Sequence, residues 1–338
     1  MKQRKHVARI AANAYSALRT GAGIVDRSDV AHLIVRGADR RAWLQGMLTN
    51  DVAALVPGRG CYAAMLTAQG RMITDMRVLE LGDALLLDLP ASTAAGVRTH
   101  LDRLIFSEDV RIEDETAAWA ELGVYGPDAA AVVASALSIP ASDLAAFDVY
   151  QNMRVAFGGV PLVVIGSDEA GVRGFDLVFD RGRAATIAQA LTAAGGVEVD
   201  AATAEGVRIE AGRPRFGVDM DTDTIPLEAG IDERAISRTK GCYVGQEVII
   251  RVLDRGHGRV AKRLVGLAFD AGSEPPSPGD VVQSADRAVG RITSAALSPA
   301  LEKPIALGYV QRDFTSPGTP VEVGSSHLRA MVSGLPFV

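Results

Sequence analysis

Apolar and polar positions recur in the first two hundred residues in two matching arrangements. Leu33, Ile34 and Val35 run into Gly37, after which helical spacing sets Trp43, Leu44, Met47 and Leu48 on one face with Asp39 as N-cap. Ala120 to Tyr125, a Gly126-Pro127-Asp128 turn and Ala129 to Leu137 repeat that order of strand, glycine turn and helix. A second pair follows: the strand Ala84 to Leu89 precedes a helix carrying Val97, Leu101, Leu104 and Ile105, and Gly174 to Asp180 precedes a helix over Ala184 to Ala194. Gly195-Gly196 provides the helix stop. Each half thus reads strand, helix, hairpin strands, strand, helix, which predicts a duplicated α+β, split-βαβ (ferredoxin-like) unit with the copies back to back.

Beyond Gly266 the texture changes. Short period-2 apolar stretches alternate with turns such as Pro275-Pro276-Ser277-Pro278-Gly279-Asp280 and Ser316-Pro317-Gly318-Thr319-Pro320, the pattern of a small all-β barrel or sandwich. The expected division is residues 8–262 for the two halves and 263–338 for the barrel. A chain of 338 residues is long enough for several packed units. No apolar run of about 18 residues predicts a membrane helix, and the basic Met1 to Ile10 lacks the apolar stretch of a secretory signal, so a cytoplasmic protein is expected.

Charge and cysteine content narrow the chemistry. With a formal net charge of -6 and no block of like charges, a direct nucleic-acid partner is not expected. Cys61 and Cys242 are the only cysteines and form no C-x-x-C pair, so neither a disulfide scaffold nor a metal site is expected, and a cluster of its own would lack ligands.

One segment stands out, Lys240-Gly241-Cys242-Tyr243-Val244-Gly245-Gln246-Glu247. A cation beside a thiol raises its thiolate fraction, glycines let the chain bend around it, and an amide and carboxylate stand close by. The residues alone also fit Cys242 as a small buried hydrophobe beside a core strand. The adjoining Gly256-His257-Gly258 places a lone, solvent-facing histidine next to it.

The segment, continued by Val248 to Arg251 and Gly258 to Leu264, resembles the signature of the YgfZ-type folate-binding proteins. The likeness runs from Ile24-Val25-Asp26-Arg27-Ser28 through Leu48-Thr49-Asn50-Asp51-Val52 to Ile305 to Val310. It implies a three-part ring closed by the C-terminal barrel, with tetrahydrofolate, free or as a 5,10-methylene or other one-carbon form, in the central opening. It also implies an accessory role with iron-sulfur proteins or assembly factors, including clients that modify tRNA, in which Cys242 reacts and Lys240 tunes it.

The wider pattern is shared with the glycine-cleavage T-protein, a tetrahydrofolate-dependent aminomethyltransferase. That family carries Gly-Gly-x-x-Asp-Asp, whose first aspartate the resemblance makes catalytic. Here Gly70-Arg71-Met72-Ile73-Thr74-Asp75 puts Thr74 at that place, and a hydroxyl cannot hold a proton near neutrality as a carboxylate does. The aminomethyltransferase or demethylase reading is therefore the alternative, with Asp75 as the carboxylate that could serve it. Gly174-Phe175-Asp176-Leu177 matches the pterin-binding segment, so Asp176, Asp75, Tyr243, Gln246 and Arg251 are the expected folate contacts, with Arg259 and Lys262 available to a folate tail.

Overall fold

A computed structural model describes residues 10–256 and 258–338. The basic N-terminal segment and His257 lie outside the described residues. The N-terminal helix α1 (Ala12–Thr20) leads through β1 (Gly23–Asp26) into the first half: β2 (Val30–Arg36), α2 (Arg40–Gln45), β3 (Gly60–Leu66), β4 (Met72–Glu80), β5 (Leu85–Pro90), α3 (Ala91–Asp102) and β6 (Arg111–Asp114). The second half is β7 (Trp119–Tyr125), α4 (Ala129–Leu137), α5 (Ala141–Ala145), β8 (Asn152–Phe157), β9 (Val160–Ser167), β10 (Gly174–Asp180), α6 (Ala184–Ala193) and β11 (Val197–Val199).

The duplication is visible in the sheets. Order β3-β4-β5-β2-β6 in one is answered by β8-β9-β10-β7-β1-β11 in the other, so each half lays its strands side by side in the same succession. Helix α4 shows how the sequence drives this. Ala129, Val132, Val133 and Leu137 bury one stripe, and the helix stops where Ser138 turns to a φ of 55° just before Pro140. Asp39 differs from its expected role: it makes no cap to its own helix and instead accepts the backbone N–H of Asp109 at 2.8 Å.

Each sheet covers its helices with one apolar face. The opposite faces meet through Ile34, Leu79 and Leu86 from one and Val163, Ile165 and Val178 from the other. Beyond β11, α7 (Ala201–Glu210) and the short helices α8 (Pro226–Ala229), α9 (Asp232–Ala235) and α10 (Gln246–Ile250) lead to the barrel. Its strands are β12 (Lys262–Phe269), β13 (Val281–Ser284), β14 (Arg287–Ser298), β15 (Lys303–Gln311), β16 (Pro320–Val323) and β17 (Leu328–Ser333), closed in the order β12-β15-β14-β13-β16-β17. Closure leaves no free sheet edge. The fold is thus mixed α+β with a closed C-terminal barrel, as the hydrophobic pattern predicts.

Helix α7 ties the barrel to the halves. Ile209 packs with Leu264, Ile305 and Leu307, and buried Asp219 accepts from Arg208 at 2.8 Å and from the hydroxyls of Thr293 and Ser294, each at 2.5 Å. No described helix is long and apolar enough to cross a membrane.

Candidate functional site

A cavity of about 650 Å³ opens where β4, the β1–β2 turn, α7 and the segment around Phe216 converge. Its wall includes Tyr62, Asp75, Arg77, Tyr125, Glu169 and Phe216. That volume suits a drug-sized ligand. Strand β4 decides which side chains enter, because successive residues point to opposite faces.

Asp75 faces the cavity side, buried, and its Oδ2 accepts the Tyr62 hydroxyl at 2.6 Å. Burial pushes its carboxyl up to about 6, with the Tyr62 hydrogen bond opposing and Glu169 reinforcing the rise. Tyr62 is held in turn by the Arg234 guanidinium 4.0 Å above its ring and by Tyr150, stacked at 6.5 Å. Tyr150 donates to Glu169 at 3.2 Å. Burial alone would raise Glu169, but Arg234 and Arg77 hold it low, so an ionised carboxylate stands near Asp75. The arrangement is a carboxyl poised to exchange a proton near neutrality.

Thr74 points the other way. Its hydroxyl lies 2.9 Å from that of Thr93 on α3, behind the sheet, and does not line the cavity. Thr74 therefore says nothing against chemistry in the cavity, because the carboxylate that reaches it is Asp75.

The remaining expected site residues do not gather here. Asp176 is wholly buried outside the cavity wall, with Oδ1 taken by the Tyr125 hydroxyl and Oδ2 by Arg77. Lys240 is committed to backbone carbonyls of another segment. Its ammonium donates to the carbonyls of Gln45, Leu48 and Asn50, the last two at 2.6 and 3.2 Å, and burial brings it down to about 8. The nearer thiol electrostatically is Cys61, which burial raises to about 12 against the pull of Lys240. Cys242 is exposed.

Tyr243 packs in a core cluster, where burial lifts its hydroxyl to about 12, and its backbone N–H donates to Gln246 Oε1 at 3.3 Å. Arg251 and Arg259 are exposed and Lys262 lies near Glu228, none of them on the cavity wall. The segment Lys240 to Glu247 is a fastening. Gly70 at φ +75° and Gly245 at φ +84° let two segments of the chain touch, since a Cβ on Gly245 would stand 2.5 Å from the Thr67 carbonyl and one on Gly70 would stand 2.9 Å from Val248.

That reading fixes an expected contrast between neighbours. Lys240→Met strands three carbonyls and should cost about 1–3 kcal/mol in urea unfolding, whereas Cys242→Ser should change stability by less than about 0.5 kcal/mol.

Residue-by-residue reading missed Arg77, Tyr62, Glu169 and Arg234. The first had a signal: charges at Asp75 and Arg77 share one face of an otherwise apolar strand, and Asp88 interrupts Leu85 to Leu89 in the same way.

Comparison with known proteins adds the family. Residues 2–240 match the GCVT N-terminal domain and residues 262–338 match the glycine cleavage T-protein C-terminal barrel domain. The chain is 30% identical to an aminomethyltransferase of Streptomyces coelicolor, covering 95% of this chain and 87% of that one. It is likewise 30% identical to an aminomethyltransferase of Rubrobacter xylanophilus, covering 96% and 85%. The crystal structure of the glycine cleavage system aminomethyltransferase T from Bartonella henselae superposes with a TM-score of 0.85 at 24% identity, covering 96% of this chain and 89% of that one, which establishes the fold. Full-length kinship with aminomethyltransferases overturns the iron-sulfur accessory role expected from Lys240 to Glu247.

Proposed function

Because the chain belongs to the glycine cleavage T-protein family through both its N-terminal and its barrel domain, we propose that it is a tetrahydrofolate-dependent aminomethyltransferase. The observation that carries this is Asp75, a buried carboxyl raised to about 6 on the wall of a folate-sized cavity. Size and chemistry fit tetrahydrofolate at this end: Tyr62 and Phe216 offer aromatic surface, and Asp75 offers a proton acceptor.

Bound tetrahydrofolate supplies the amine nitrogen that receives the one-carbon unit. That nitrogen and a second N–H nitrogen of the folate would end bonded to the one-carbon unit as its bonds to the donor and to the amino group break; Asp75, ionised above about pH 6, would relay one of the two protons shed, which end on the donor's leaving atom and on the departing ammonia. The Tyr62 hydroxyl fixes one carboxylate oxygen and leaves Oδ1 with no side-chain partner among the described residues. Arg234 keeps Tyr62 and Glu169 in place, so the acid is positioned before ligand arrives.

The segment Lys240 to Glu247 favours a YgfZ-type position within the family; it is a mark of kinship and brings no activity with it. The test is formation of 5,10-methylene-tetrahydrofolate and ammonia from tetrahydrofolate and an aminomethyl donor, run beside N-methyl donors, from which plain methyl transfer would give 5-methyl-tetrahydrofolate instead. Product from an aminomethyl donor supports the assignment, and no turnover with any donor sinks it.

A further inference from the structure

Behind the inner wall of the cavity, where Arg77, Asp88 and Tyr125 line it, lies a buried charged cluster that the transfer chemistry leaves unused. Across the first sheet Tyr62, Arg77, Asp88 and His32 are register neighbours on β3, β4, β5 and β2, and they face Asp176 and Glu121 from the second sheet. Arg77 donates from Nη1 to Asp176 and from Nη2 to Asp88 and, at 2.8 Å, to Glu121. Arg27 Nη1 sits 2.9 Å from the Tyr125 hydroxyl oxygen and 3.5 Å from Asp176, while His32 Nε2 meets Glu121 at 3.1 Å. The sequence makes room for this closure at Gly123, where a Cβ would stand 2.3 Å from the Tyr125 ring.

A carboxylate presents two parallel acceptors, and its natural partner is a planar fork of N–H donors. A guanidinium is one such fork; the 2-amino-4-oxopyrimidine edge of a pterin is another. Arg77 and Tyr125 have taken both oxygens of Asp176, and because Arg77 is tethered to the same chain it competes at high effective concentration against any free ligand.

We propose that Arg77 is a built-in occupant of this acid pocket and a specificity-determining residue, which denies Asp176 to guanidine-like ring edges. The ligand's identity as a folate rests on the function proposed above; the tethered occupancy of the pocket does not. Tetrahydrofolate in this cavity is accordingly held without Asp176, by contacts nearer Asp75, and the inner end selects ligands that need no carboxylate there.

The experiment uses the full chain as wild type, Asp176→Asn and Arg77→Ala, with tetrahydrofolate titrations by calorimetry and thermal shifts in millimolar methylguanidinium against sodium chloride at equal ionic strength. Asp176→Asn, which keeps Arg77 paired with Asp88 and Glu121, should bind tetrahydrofolate within threefold of wild type. Methylguanidinium should raise the Tm of Arg77→Ala by several degrees and leave wild type unmoved. A folded Asp176→Asn that loses tenfold or more in affinity would overturn the proposal, as would an Arg77→Ala protein indifferent to methylguanidinium. If no variant binds tetrahydrofolate, the folate reading fails, and the methylguanidinium arm still decides the occupancy of the pocket.

Discussion

Asp75→Asn is expected to lower kcat/KM for methylene-tetrahydrofolate formation by about 10²- to 10⁴-fold, the range in which a positioned acid or base contributes. The same change should make the protein more stable. In the wild-type fold the carboxyl stands at about 6 against 3.8 for a free aspartate, because burial disfavours its charge. A raised carboxyl helps the fold most when protonated. Its contribution is therefore fully present below about pH 4 and is lost as pH rises through about 6, leaving a deficit of up to ~3 kcal/mol at pH 8. Asparagine can still accept the Tyr62 hydroxyl and carries no charge, so a gain of roughly 1–2 kcal/mol at pH 8, vanishing toward pH 4, should appear in urea unfolding. The wild-type pH–rate profile should rise through about 6 and that limb should be missing from Asp75→Asn. Unchanged turnover in a folded Asp75→Asn would remove Asp75 from the mechanism.

Asp219→Ala should have the largest effect on stability. Asp219 is buried between α7 and the barrel, where it takes the charge of Arg208 and the hydroxyls of Thr293 and Ser294. Removing it leaves the buried guanidinium with Glu205 as its remaining carboxylate and strands the Arg215 backbone N–H and the two hydroxyls, a loss of about 2–4 kcal/mol. Because Arg208 and the Phe216 to Val218 segment also line the cavity, tetrahydrofolate affinity should fall with stability. Restoring only packing volume with Asp219→Leu should not recover either. Stability within about 1 kcal/mol of wild type would show that the ion pair is offset elsewhere.

The segment Lys240 to Glu247 illustrates where reading residues in isolation misleads. A cation, a thiol, two glycines, an amide and a carboxylate in eight residues resemble a reactive site. In the fold the cation serves three carbonyls of a distant loop and the glycine Gly245 serves a close approach to the β3–β4 turn. The thiol is left at the surface. Thr74 misleads in the opposite sense: adjacent in sequence to Asp75, it lies on the other face of β4, so its identity bears on helix packing and not on the cavity.

Sequence by itself determined the duplicated α+β halves and the barrel, because strand and helix periodicities, glycine turns and burial preferences are local properties of the chain. It also held the charges Asp75, Arg77 and Asp88, out of place in apolar strands. Only the tertiary structure decided what they do. Pairing β4 with β3 brings Tyr62 to Asp75, and packing the second sheet against the first brings Asp176 and Glu121 to Arg77. A carboxyl's proton affinity and a guanidinium's partners are set by burial and by charges from remote segments, and neither distance is written in the order of residues.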